Sequence, residues 1–218
     1  MPISIAAVLW DFGGVILESP FDAFAGYEKR RGLPPGFLRR LNSVNPDDNA
    51  WARLERTEVT AAQFCDLYEA EAAAAGYAII AGEVLALLSG AVRPAMVEAV
   101  RRCRSKFKTA LLTNNFVTTE GPVDRRRELD EVMSLFDVIV ESSKTGVRKP
   151  DPRFYELACE QLDIQPAQAV FLDDLGINLK PARAMGMTTI KVVDPDVAIA
   201  ELEAVTGLNL RPTEEQWT

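Results

Sequence analysis

Short apolar runs alternate along the chain with longer stretches in which apolar residues return every third or fourth position. The runs at 5–10, 109–112, 138–140, 169–172 and 189–193 are aliphatic or β-branched and are bounded by polar residues, which predicts strands. Helical spacing marks 94–105, 125–134, 152–162, 179–185 and 197–206. Strands alternating with helices predict an α/β fold with a doubly wound parallel sheet and helices on both faces.

The interval 21–90 breaks this alternation and reads as helical throughout, at 21–31, 35–42, 50–55, 60–75 and 82–88. Thr60 and Gln63 have the spacing of a capping box, and Gly76 suits a helix stop. The expected organisation is a core formed by 1–20 and 91–218, with a helical cap at 21–90 inserted after the first strand. Such an insertion hangs over the carboxyl ends of the strands, where open α/β sheets bind ligands. The polar tail after Gly207 is expected to pack loosely, with Trp217 as its anchor.

Composition narrows the function. With 48% hydrophobic and 26% charged residues, the 218-residue chain reads as a soluble globular protein. A net charge of −8 opposes binding to nucleic acid or anionic membranes and favours a small-molecule substrate. The absence of histidine removes Ser-His-Asp and Cys-His nucleophile pairs, phosphohistidine chemistry and His-ligated zinc. Cys65, Cys103 and Cys159 lack metal-ligand spacing and are expected as buried thiols in a reducing compartment. No run approaches the ~20 apolar residues of a membrane span, and no signal-peptide pattern is evident, so a cytoplasmic location is expected.

The polar residues that end the predicted strands carry the candidate chemistry. Asp11 follows the first strand and precedes Phe12-Gly13-Gly14. Thr113, Asn114 and Asn115 follow the second, Lys149 lies in Gly146-Val-Arg-Lys-Pro-Asp151 after the third, and Asp173-Asp174 close the fourth. Carboxylates without histidine suit a hard cation such as Mg²⁺. Adjacent carboxylates at an apolar strand end also repel unless a cation lies between them. A lysine can neutralise a carboxylate nucleophile and a transferring phosphoryl group, while a threonine hydroxyl and backbone N–H groups bind its equatorial oxygens. The set fits phosphoryl transfer through an aspartyl-phosphate. Lys144 reads as a surface or loop lysine, the mixed charges of 125–131 as a solvated face, and Phe24, Trp51, Phe64 and Tyr68 as cap core.

These motifs resemble those of the haloacid dehalogenase-like (HAD-like) hydrolase superfamily, over nearly the whole chain. More narrowly, Gly14-Val-Ile-Leu-Glu-Ser-Pro20, Trp51-Ala-Arg-Leu-Glu-Arg56 and Val170-Phe-Leu-Asp-Asp-Leu-Gly-Ile-Asn-Leu-Lys-Pro-Ala-Arg183 are similar to two groups of domains. One is the N-terminal phosphatase domain of soluble epoxide hydrolases, and the other is fused to some acyl-CoA dehydrogenases. The resemblance implies a HAD-like Rossmannoid core with an inserted cap, and a Mg²⁺-dependent phosphatase acting on a small phosphorylated metabolite. It implies Asp11 as nucleophile, Thr113, Asn114 and Lys149 as phosphate-binding residues, and Thr113 and Lys149 as catalytic partners. Mg²⁺ would be held by Asp11, the Gly13 carbonyl and Asp174, with Asp173 in support and Asn178 capping the next helix and bracing that loop.

Gly13 departs from the family pattern, which places a second aspartate there to protonate the leaving group and activate water. Its carbonyl keeps the metal contact, but acid/base help worth ~10²–10⁴ in rate is lost. Glu18, or a substrate with a good leaving group, would compensate. Two further readings stay open: a metal-free 2-haloacid dehalogenase, and a ligand-binding protein weakened catalytically at Gly13. Epoxide hydrolysis is not implied, since no histidine is present.

Overall fold

A computed structural model describes residues 4–115 and 123–211; Pro212 and Trp217 lie outside them. Strand β1 (Ala7–Trp10) runs into a tight turn at Phe12–Ile16. Helices α1 (Phe21–Arg31), α2 (Phe37–Asn42), α3 (Ala50–Glu55), α4 (Ala61–Ala74) and α5 (Ala81–Ala86) follow. The chain then returns through α6 (Pro94–Cys103) to β2 (Lys108–Thr113), α7 (Val123–Met133) and β3 (Val138–Glu141). It ends with the short α8 (Ser142–Thr145), α9 (Pro152–Leu162), β4 (Ala169–Asp173), α10 (Gly176–Ala184), β5 (Thr188–Lys191) and α11 (Pro195–Thr206).

The strands form one sheet in the order β3-β2-β1-β4-β5, and every pairing is parallel. Ala7, Val8, Leu9 and Trp10 are all fully buried, as expected where both faces of a central parallel strand are covered. Val8 and Trp10 pack with Met96 and Val100 of α6 and Ile199 and Leu202 of α11 on one face. Ala7 and Leu9 point the other way, toward Phe154 and Tyr155 of α9 and Leu179 of α10. Strand alternation thus divides one apolar run between two cores.

Helices α1 to α5 share a separate apolar cluster that includes Phe24, Tyr27, Leu38, Trp51, Phe64 and Tyr68. The capping box at Thr60 and Gln63 starts α4, and Gly76 adopts φ +87° after it. The entering and returning linkers pair through a Leu17–Val92 bridge, with Glu18 N–H donating to the Ala91 carbonyl at 2.8 Å. Gly90 permits this approach, because a Cβ there would lie 2.6 Å from the Glu18 carbonyl oxygen.

Local geometry shifts several element ends from their predicted positions. β1 begins at Ala7 rather than Ile5, and β5 stops at Lys191 because Val193 turns its N–H back to the Lys191 carbonyl. α10 begins at Gly176 instead of Leu179, since the Asp173 carboxylate accepts from Leu175 N–H and organises the turn before it. Along α7, Arg125 departs from the solvated reading by donating to the Gly90 carbonyl. Cys103 and Cys159 are buried as expected, whereas Cys65 is only partly so.

Candidate active site

Parallel register brings the candidate residues to one rim. Trp10 pairs with Leu111 and Leu172, so Asp11, Thr113 and Asp173 all emerge at the carboxyl ends of the three central strands. Asp11 N–H extends the ladder by donating to the Leu172 carbonyl at 2.9 Å. Lys149 comes to them from the loop after β3.

The Lys149 ammonium lies between two carboxylates, 2.7 Å from Asp11 Oδ1 and 2.8 Å from Asp173 Oδ2. Only 1% of Lys149 is exposed, so its charge is sustained by these partners rather than by water. Burial acts to lower the Lys149 pKa, but Asp11 and Asp173 outweigh it and leave it above its ordinary value. Burial raises Asp11, Lys149 opposes that, and Asp173 and Asp174 reinforce it. Asp11 Oδ2 has no hydrogen-bond partner among the described residues, which leaves one oxygen for chemistry. Thr113 is buried at the end of β2, and its hydroxyl likewise has no hydrogen-bond partner among the described residues.

Asn114 does something its sequence position does not announce. Its side-chain amide donates to the Lys149 carbonyl at 3.0 Å and accepts from Lys149 N–H at 2.8 Å. The side chain therefore grips the lysine's backbone. Asn115 holds the other end of the same loop: Nδ2 donates to Glu141 Oε1 at 2.8 Å, and Oδ1 accepts from Ser143 Oγ at 2.9 Å. Lys144 is exposed and pairs with Glu141.

The two adjacent aspartates divide their work. Asp173 is fully buried, and its carboxylate accepts from Lys149, Leu175 N–H and Asn178 Nδ2, the last at 3.1 Å to each oxygen. With both oxygens committed, it serves the site by orienting the lysine. Asn178 braces it as expected, but from inside α10 and not as the cap of that helix, a place taken by Leu175. Asp174 is only partly buried and has no ion-pair partner among the described residues. Burial, then Asp173, pushes its pKa up to about 6.

Oxygens of Asp11, Asp173 and Asp174 lie within 4.8 Å of one another, with Lys149 as the one cation bonded to this triad among the described residues. The cluster carries surplus negative charge, a donor set that fits a hard divalent cation. Asp11 and Asp174 each keep an oxygen that Lys149 does not hold, so they are the carboxylates of the cluster open to such a cation.

The double glycine is two different positions. Gly13 has φ −71° and ψ 128°, and a Cβ there would meet nothing within 4 Å. Neither conformation nor space requires glycine. Gly14 adopts φ +79°, and a Cβ would lie 2.2 Å from Asp174 Oδ2. Here the missing side chain lets the turn after Asp11 close against Asp174. Arg93, which the sequence did not single out, donates to the Gly14 carbonyl at 2.7 Å and so ties that turn to the returning cap linker. Glu18 is exposed in the opposite linker and makes no side-chain bond to these residues among those described.

The haloacid dehalogenase-like hydrolase family matches residues 5–186. The chain is 36% identical over 217 residues to acyl-CoA dehydrogenase family member 10 of Mus musculus, a match covering 95% of this chain and 20% of that protein. It is 34% identical over 224 residues to bifunctional epoxide hydrolase 2 of Sus scrofa, covering 97% of this chain and 40% of that protein. It therefore spans less than half the length of either relative. Among solved structures, a HAD family enzyme of Bacteroides thetaiotaomicron in complex with magnesium and inorganic phosphate has a TM-score of 0.57 at 19% identity. That likeness, one of fold, covers 86% of this chain and 94% of the other.

Proposed function

The chain belongs to the haloacid dehalogenase-like hydrolases, and from that premise we propose that it is a Mg²⁺-dependent phosphatase for a small phosphorylated metabolite, with Asp11 as nucleophile. The observation that carries this reading is the division of the acidic cluster. Lys149 pairs with Asp11 and Asp173 at 2.7 and 2.8 Å, while Asp174 has no ion-pair partner among the described residues. A metal-free dehalogenase would gain nothing from an unpaired carboxylate beside its nucleophile.

In the proposed reaction, the free oxygen of Asp11 forms a bond to phosphorus as the bond to the ester oxygen breaks, giving an aspartyl-phosphate. Lys149 holds Asp11 in position and offsets charge on the transferring group, and the Thr113 hydroxyl donates to one of its oxygens. Mg²⁺, when bound, would supply charge neutralisation at the phosphoryl oxygens. Water then attacks phosphorus, releasing inorganic phosphate and regenerating the Asp11 carboxylate. No carboxyl group at Gly13 delivers a proton, so the departing oxygen is protonated from solvent. This favours substrates whose leaving group is stable as an anion.

The net charge of −8 goes with a small-molecule substrate rather than nucleic acid or a membrane surface. No described helix is long and apolar enough to cross a bilayer; a cytoplasmic location belongs to the same proposal. The solved fold neighbour with magnesium and inorganic phosphate adds support. The test is a panel of phosphorylated metabolites with and without Mg²⁺, using Asp11→Asn as the blank. Metal-dependent phosphate release that the blank lacks is expected; metal-independent halide release from a 2-haloacid would overturn the reading.

A further inference from the structure

The contacts between the cap helices and the loop bearing Lys149 converge on the residue just before that lysine. Arg148 donates from Nε to Glu55 Oε2 at 2.6 Å and from Nη1 to the Pro46 carbonyl at 2.8 Å. Glu55 ends α3, and Pro46 lies in the connection from α2 to α3, so one guanidinium holds the cap at two points. Nearby, Thr57 Oγ1 donates to the Ser143 carbonyl at 3.1 Å. Thr57 itself sits at φ +60°, a costly conformation for a β-branched residue, which its surroundings must hold in place.

This pair differs from the ion pairs on the outer surface. Its side chains are only 19% and 16% exposed, whereas Arg153 and Glu160 are 47% and 58% exposed. Burial holds Glu55 above its ordinary value, and Arg148 offsets only part of that rise. Removing one member of so enclosed a pair leaves the other charge poorly compensated.

The loop is held from the core side by Asn115 at Glu141 and Ser143 and by Asn114 at Lys149. The cap supplies the opposing grip at Arg148. Consecutive Cα atoms are fixed about 3.8 Å apart, so a large displacement of Arg148 strains the Lys149 backbone that Asn114 holds from the other side.

We propose that Glu55 is a positioning residue for Lys149, acting through Arg148, so that the cap must be seated on the 143–149 loop for the ammonium to bridge Asp11 and Asp173. Its effect on turnover rests on the phosphatase reading; the mechanical coupling does not. The cap thereby enters the chemistry through the lysine.

The experiment compares Glu55→Gln, Arg148→Met, their double variant and the charge swap E55R/R148E in the full chain. Kinetics use p-nitrophenyl phosphate with Mg²⁺, alongside hydrogen exchange of the 142–149 amides. Each single variant is expected to lower kcat about tenfold or more, with KM within about twofold, and to speed exchange in that loop. The double variant should be no worse than Arg148→Met alone, and the charge swap should recover part of each readout, since a carboxylate at 148 can pair with the new guanidinium but cannot donate to the Pro46 carbonyl. Should Glu55→Gln not fold, Glu55→Asp keeps the charge but shortens its reach and serves the same comparison. Unchanged kcat and exchange, a change in KM alone, additive single effects or a swap that recovers neither readout would overturn the proposal. If the wild type hydrolyses no phosphate ester, the phosphatase reading fails by itself, and exchange in the singles and the swap still decides the coupling.

Discussion

Asn114 and Lys149 hold one another through reciprocal bonds, with Lys149 N–H donating to the asparagine oxygen at 2.8 Å and the asparagine amide donating to the Lys149 carbonyl at 3.0 Å. The end of β2 thereby fixes the backbone from which the buried ammonium extends. Asn114→Ala removes both partners at once and leaves two enclosed backbone groups unpaired, at about 1–3 kcal/mol each. Chemical denaturation should show a loss of that order, and kcat should fall by more than the loss of folded protein accounts for. Wild-type kcat in a destabilised variant would show that the clamp is structural only.

Gly13→Asp should fold normally, because its φ of −71° suits any L-residue and a Cβ would meet nothing within 4 Å. A carboxyl there would supply the missing acid/base group. Turnover of alkyl phosphates should rise, by up to about 10²–10⁴-fold, while that of aryl phosphates changes much less. Comparing kcat/KM for a matched alkyl and aryl pair checks this; equal gains on both would count against a leaving-group effect.

Gly14→Ala should behave in the opposite way. At φ +79°, with a Cβ only 2.2 Å from Asp174 Oδ2, the added methyl strains the turn and displaces the carboxylate. A stability loss of about 1 kcal/mol or more is expected, together with weaker Mg²⁺ binding by calorimetry. Retained Mg²⁺ affinity would remove Asp174 from the metal site.

Mg²⁺ should stabilise the protein more at pH 7.5 than at pH 5. Asp174 has a folded pKa of about 6 against an ordinary 3.8, chiefly through burial and then Asp173. Between those values the metal-free native state binds more protons than the unfolded chain, so this group's contribution to stability falls as pH rises through the window. A cation that binds the ionised form relieves the penalty where the penalty is largest, above the folded pKa. Thermal melts with and without Mg²⁺ at both pH values test this, and an equal rise in Tm at each would refute it.

Much of the architecture was legible in local pattern. The apolar runs located the strands of a parallel sheet, because burial on both faces leaves no polar position within a central strand. Polar residues at the ends of those runs marked Asp11, Thr113 and Asp173-Asp174, since parallel strands deliver their carboxyl ends to one rim. The helical interval and the Thr60 capping box were equally visible, as both depend on residues three or four apart.

Pairing across the fold was not legible in this way. Which aspartate is spent on Lys149 and which is left for a cation depends on where the ammonium arrives from a loop 24 residues earlier. The Asn114 grip spans 35 residues and the Glu55–Arg148 pair spans 93. The bracing by Asn178 is legible, but its place inside the helix is not: Asn favours a cap, yet Asp173 starts the turn early and draws the amide inward. The sheet, the inserted helices and the polar residues at the strand ends follow from local pattern, since propensity and periodicity are properties of short stretches of chain. Which charges neutralise one another, and which side chains hold Lys149, emerges from the folded chain alone, because those partners meet only after the sheet closes and the inserted helices pack on the loop.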